Sequence, residues 1–114
     1  MTRPLLPRER ALLDLLLSAS FPGVEELRTQ ADTVLADGEA LIIDLVIDPS
    51  MPSAAVLKRT PVHAVVDGDG YDGGVLLFVD DGALSALEYW WVTEDPPAEF
   101  PPLSAVGGPI VATP

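Results

Sequence analysis

Across 114 residues and 12.1 kDa, 18 acidic side chains stand against 6 basic ones, giving a formal net charge of −12 at pH 7 and a pI near 4.1. That is one domain's length of chain, and with 48% hydrophobic and 21% charged residues its composition is globular rather than disordered. The negative field argues against a binder of duplex nucleic acid or of an anionic membrane, and the absence of cysteine excludes disulfides, thiolate metal sites and a Cys nucleophile.

The first ten residues carry Arg3, Arg8 and Arg10 but lead into no h-region with a small-residue cleavage site, so no signal peptide is read. The apolar run Leu15-Leu16-Leu17, preceded by Asp14, falls far short of the ~20 residues that span a bilayer. A cytoplasmic location is the expectation. Pro7 suits an early helical position, and Ala11, Leu12, Leu15, Leu16 and Ala19 fall on one stripe, widened by Leu13 and Leu17. This predicts a helix over 7–19. A second is predicted over 22–31, with Pro22 near its start, Glu25 and Glu26 in the first turn, and Val24, Leu27 and Ala31 facing inward.

From Thr33 the period becomes two. Thr33 to Ala36, the turn dipeptide Asp37-Gly38 and a strand from Glu39 to Asp48 read as a hairpin. Leu41, Ile43, Leu45 and Ile47 form its core face, with Ile42, Asp44 and Val46 opposite. Pro49 and Pro52 break the ladder. Three further strands are expected at Val62–Asp67, Val75–Asp80 and Ala83–Val92, with Gly68 to Gly74 and Asp81-Gly82 as turns. From Glu94 onward six prolines in 21 residues predict an extended, irregular tail. The expectation is an α+β fold: two N-terminal helices packed on one face of an antiparallel sheet of about five strands, in a domain over 1–93, followed by the tail over 94–114.

Charge is unevenly divided. Residues 1–59 hold nine acids and six bases, whereas residues 60–114 hold nine acids and no lysine or arginine. The segment Asp67-Gly68-Asp69-Gly70-Tyr71-Asp72-Gly73-Gly74 has carboxylates at alternate positions, as a calcium loop does. Its spacing fails the EF-hand at Tyr71 and Phe78; against the nonapeptide β-roll pattern Gly68, Gly70 and Asp72 fit but Asp67 and Gly74 do not, and there is only one copy, so a hairpin turn is the better reading and no metal is assigned. His63, the single histidine, shares a strand face with Val65 and Asp67; with no nucleophile elbow around Ser85 or Ser104, it reads as a surface residue rather than a catalytic base. No cofactor motif occurs, and the chain is not expected to be an enzyme.

In Leu84 to Trp91, alternation places Leu87, Tyr89 and Trp91 on one face and Leu84, Ala86, Glu88 and Trp90 on the other. A charge is costly to bury unpaired, so the Glu88 face is the wet one. Two settings for Trp90 follow: an aromatic anchor ringed by acids, or a ring covered by the tail through Phe100.

The segments Gly74 to Gly82, Leu84-Ser85, Leu87-Glu88 and Asp95 to Pro101, with Glu9 to Leu13 and Phe21 to Leu27, resemble small uncharacterised acidic proteins of high-GC actinobacteria. The strand–turn–strand ending in aromatics and prolines is similar in layout to immunity proteins of bacterial polymorphic toxins. The reading that follows is a binding protein that neutralises a basic protein partner, a toxin by that resemblance. Its candidate contact residues are Asp44, Asp67, Asp69, Asp72, Glu88 and Trp90, with Glu94 and Asp95 as rim charges. Two alternatives stand beside it. A small-molecule-binding or carboxylate-based catalytic domain would show a deep pocket between helices and sheet. A structural module would form a homodimer through an exposed edge strand.

Overall fold

The computed structural model describes residues 1–38 and 41–112. Within them the elements run β1 (Thr2–Arg3), α1 (Pro7–Leu16), α2 (Val24–Ala31), β2 (Leu35–Asp37), β3 (Ile42–Val46), β4 (Val62–Gly68), β5 (Tyr71–Asp80), β6 (Ala83–Trp91), a 3-10 turn (Leu103–Ala105) and β7 (Ile110–Val111). The fold is α+β, and its sheet is antiparallel throughout in the order β1-β2-β3-β6-β5-β4-β7. The described residues thus form seven strands rather than about five. The extra two, β1 and β7, are two residues long and cap the sheet edges, too short to display any alternation.

Local chemistry explains where the helices start and stop. Pro7 begins α1, and the Leu6 N–H donates to Glu9 Oε1 at 2.8 Å, satisfying one of the open amides of the first turn. Glu9 is buried, and Arg3 donates to both its oxygens at 2.7 and 2.8 Å. Helix α1 ends at Leu16 rather than at residue 19. Arg28 there donates to the carbonyls of Leu17 and Ala19 at 2.7 and 3.2 Å, and Arg10 does the same for Ala31 at the end of α2 at 2.7 Å. Helix α2 begins at Val24, not at Pro22, because Gly23 adopts φ 92, a left-handed conformation no helix continues.

The helices lie against one face of the sheet, and the core forms between Leu12, Leu13, Leu16 and Leu27 on their side and Ile43, Leu77, Leu87 and Tyr89 on the strands. Strand β3 obeys its predicted alternation: Leu41, Ile43 and Leu45 are buried, while Ile42, Asp44 and Val46 are exposed. The expected strand began at Glu39; Glu39 and Ala40 lie outside the described residues. The preceding strand is Leu35–Asp37 rather than Thr33 to Ala36.

Strand β6 departs from simple alternation. Val79 pairs with Leu84 but Phe78 pairs with Ala86, so Ser85 is an extra residue in the ladder. That bulge turns Leu84 to the helix side with Leu87 and Tyr89, correcting its expected place on the Glu88 face. The β5–β6 reversal is the two-residue turn Asp81-Gly82 with φ 51 and 77, the paired positive values of a type I′ hairpin. The β4–β5 reversal is much tighter than the expected turn from Gly68 to Gly74: Gly68 already pairs with Tyr71, leaving only Asp69-Gly70 at the tip.

The proline-rich segment, expected as an extended tail, packs back onto the body. Phe100 is buried with its ring 6.5 Å from that of Tyr89, Ala105 is buried against Gly68, and β7 pairs with β4. Phe100 therefore covers Tyr89 on the helix side and not Trp90. The outcome is a slab of 40 × 34 × 18 Å with one sheet face lined by helices and the other uncovered. Among the described residues no helix is long and apolar enough to cross a membrane.

Candidate functional site

The uncovered face is organised by the strand register. Ile110, His63, Leu76, Glu88 and Ile42 stand directly opposite one another in a row across β7, β4, β5, β6 and β3. A second row is Val65, Gly74 and Trp90; a third is Phe78, Ala86, Asp44 and Asp37. Leu35, Ile42, Val46, Val65, Trp90 and Ile110 on this face are each between 38% and 55% exposed. Large apolar side chains gathered on one uncovered surface mark an interaction site more often than a solvated one.

Trp90 has a built seat. A Cβ placed on Gly74, directly across the ladder, would lie 2.6 Å from the indole Nε1 and 2.7 and 2.8 Å from Cε2 and Cζ2. The indole therefore lies flat over the bare glycine backbone, with its other face toward solvent at 44% exposure. Gly73 completes the arrangement: its φ is +133, and any side chain there would strike the Trp90 carbonyl. Glycine in a strand interior is unfavourable by roughly 0.5–1 kcal/mol. Gly74 leaves room for the indole itself and Gly73 for the Trp90 carbonyl, so the seat is kept against that cost.

Carboxylates surround it. Glu88 is half-buried between Leu76 and Ile42, and Asp44 lies diagonally across from it on β3. Asp67 and Asp72 stand directly opposite each other on β4 and β5, an unfavourable pairing of like charges, with exposed Asp69 at the hairpin tip between them. Asp37 and Asp44 repeat the pattern, though Asp37 also meets the N-terminal amino group at 3.0 Å. Glu94 and Asp95 are exposed just beyond β6, where the Val92 N–H donates to the Asp72 carbonyl at 3.1 Å. The structure thus gathers Asp44, Asp67, Asp72, Glu88 and Trp90 on one face and places Asp69, Glu94 and Asp95 at its hairpin end. Among the described residues none of these seven carboxylates forms an ion pair. The arginines are engaged elsewhere: Arg3 with Glu9, Arg8 with Glu99, Arg10 with Asp14, Arg28 with Glu25 and Arg59 with Asp80.

The Arg59–Asp80 pair lies on this same face. Arg59 donates to both Asp80 oxygens at 2.7 and 3.3 Å while its guanidinium sits 5.0 Å from the Phe78 ring centre. The hydrogen bond from Arg59, with a second from Ser85, holds the Asp80 carboxyl below its ordinary value of 3.8.

With Tyr71 to Gly74 in β5, the Asp67-to-Gly74 segment is a hairpin, and among the described residues no three His, Asp or Glu side chains group as metal ligands. His63 is half-buried between Leu76 and Ile110 and hydrogen-bonds to no described serine or carboxylate. A cleft of about 480 Å³ lies outside the helix–sheet layer, between Leu6–Glu9 and Ala98–Phe100.

What sequence reasoning missed is the Gly73–Gly74 seat, the role of Asp37 beside Asp44, and the exposed apolar residues Val65, Leu35 and Ile110. The pair of glycines did carry a signal, since both fall in register with Trp90 and Trp91 once the Asp69-Gly70 turn is placed. Comparison with protein families, with curated proteins and with solved structures gives no match.

Proposed function

We propose that this chain is a non-enzymatic acidic binding protein that neutralises a basic protein partner by laying the uncovered sheet face over it, as an immunity protein or antitoxin does. The observation that carries this reading is a single face on which a seated, solvent-facing tryptophan and five other exposed apolar residues are interleaved with Asp44, Asp67, Asp72 and Glu88, which form no ion pair among the described residues. Interfaces are anchored by aromatics, and complementary charge speeds encounter and suppresses wrong partners. The layout of a sheet ending in aromatics and prolines, similar to immunity proteins of polymorphic toxins, supports the same reading. The edge-strand dimer has less to work with, because β1 and β7 cover the two sheet edges with strands of two residues each.

The test is affinity capture from the native host at low and at high salt, with Trp90→Ala and Glu88→Lys as parallel baits. A basic protein held by the wild type at low salt, released at high salt and lost from both variants is the expected result. No salt-sensitive partner, or one held equally by both variants, overturns the assignment.

A further inference from the structure

Two half-buried aromatic rings among the described residues carry an arginine, and each arginine is shared with a carboxylate. Arg59 lies 5.0 Å from the Phe78 ring centre and is bound by Asp80. Arg8 lies 5.9 Å from the Tyr71 ring centre, donates to the Tyr71 hydroxyl at 3.0 Å and pairs with Glu99 at 2.8 Å. The geometry at Trp90 repeats the ring and the acids without the cation. Its indole is pinned flat by Gly74 with one face open. Glu88 precedes it by two residues on the same face, and Asp72 lies diagonally across the ladder, each at roughly 7 Å by strand geometry. Neither carboxylate has an ion-pair partner among the described residues, and Glu88 is flanked on both sides by apolar Leu76 and Ile42.

We infer that the basic partner inserts an arginine over the open face of Trp90, where Glu88 and Asp72 receive its guanidinium and complete a third arginine–aromatic–carboxylate set. This rests on the reading of the acidic face as the binding surface. Arginine fits better than lysine because its planar guanidinium stacks on an indole while its edge N–H groups reach carboxylates on either side; an ammonium offers a point charge and no plane. Tryptophan is the strongest of the aromatic faces for this contact. The half-buried setting of Glu88 strengthens its attraction for a cation that arrives in the same partly dry site.

The experiment uses the full chain labelled with ¹⁵N and two end-blocked peptides, tetra-arginine and tetra-lysine, at low salt. The Trp90 indole N–H resonance is assigned by its loss in Trp90→Phe, and the Trp91 indole serves as reference. Tetra-arginine is expected to shift the Trp90 indole at about two- to fivefold lower concentration than tetra-lysine, the size of one exposed cation–π contact. Read instead from the backbone amide shifts of Glu88 and Val65, that advantage should vanish in Trp90→Leu, which keeps an apolar side chain without a π face, and shrink in Glu88→Gln. Equal binding of the two peptides, or binding that leaves the Trp90 indole unmoved, overturns the arginine seat while leaving the acidic face intact. Failure of either peptide to perturb any residue of the uncovered face overturns that face as a cation-binding surface.

Discussion

Replacing Phe100 by alanine tests whether the proline-rich C-terminal segment belongs to the core. Phe100 is 3% exposed, and its ring lies 6.5 Å from that of Tyr89, which is fully buried. Deleting a buried phenylalanine removes its transfer free energy and leaves a cavity, together about 3–5 kcal/mol. The Phe100 carbonyl, which accepts from Arg8 at 3.1 Å, belongs to the backbone and survives the substitution, so no charge is orphaned. Against a typical total of about 5–15 kcal/mol, the loss takes a large share of the stability. At ~4 °C per kcal/mol for a chain of this size, Tm should fall by about 12–20 °C. Urea denaturation followed by far-UV circular dichroism is the assay, and a lower midpoint at unchanged slope is the expected signature. Val111→Ala, at a position 37% exposed, is the control and should cost less than about 1 kcal/mol. A loss below about 1 kcal/mol for Phe100→Ala would refute the assignment of this segment to the core, and with it the orientation that leaves Trp90 uncovered.

Four further outcomes follow from the same structure. Trp90→Ala should cost about 1–2 kcal/mol in chemical denaturation, short of the ~3–5 of a fully buried aromatic; Gly74→Ala should leave stability within about 1 kcal/mol yet move the Trp90 fluorescence maximum, because the new methyl displaces the ring. Gln30 is buried, donates to the carbonyls of Pro52 and Gly82 at 2.8 Å each and accepts from the Leu84 N–H at 2.9 Å, so Gln30→Ala should destabilise by about 2–4 kcal/mol, measured by thermal melting against wild type. Asp80, whose pKa is lowered in the folded state by Arg59 and Ser85, contributes stability that is present above its ordinary value of 3.8 and is lost as pH falls through the lowered one; an NMR titration should find its midpoint below 3.8, returning upward in Arg59→Ala.

Much of the fold was legible because its signals are local. The Leu12, Leu13 and Leu16 stripe, the alternation of Ile42 to Val46 and the Asp81-Gly82 turn each follow from side-chain periodicity or from residues that tolerate positive φ. The bulge at Ser85 was not legible, since it depends on two residues of β6 facing one step of β5, a property of the pair rather than of either strand. Strands β1 and β7 are products of tertiary pairing alone. The choice between an open Trp90 and one covered by Phe100 was not legible for a similar reason: alternation says which face Trp90 occupies but not around which side of the sheet the prolines pass. Of the candidate site, Asp44, Glu88 and Trp90 were legible as outward positions. Their adjacency was not, because it arises from β3 pairing with β6, some forty residues later in the chain, and no local pattern encodes that contact.

A broad, thin sheet face studded with Ile42, Val46, Val65 and Trp90 would ordinarily invite a second copy to stack upon it. Here two copies brought face to face would press Asp44, Glu88, Asp67 and Asp72 of one against the same side chains of the other. Colloidal behaviour should then hinge on acidity: as pH descends toward the isoelectric point near 4.1, that mutual repulsion fades while the greasy area remains, and the molecule should begin to clump well before it unfolds.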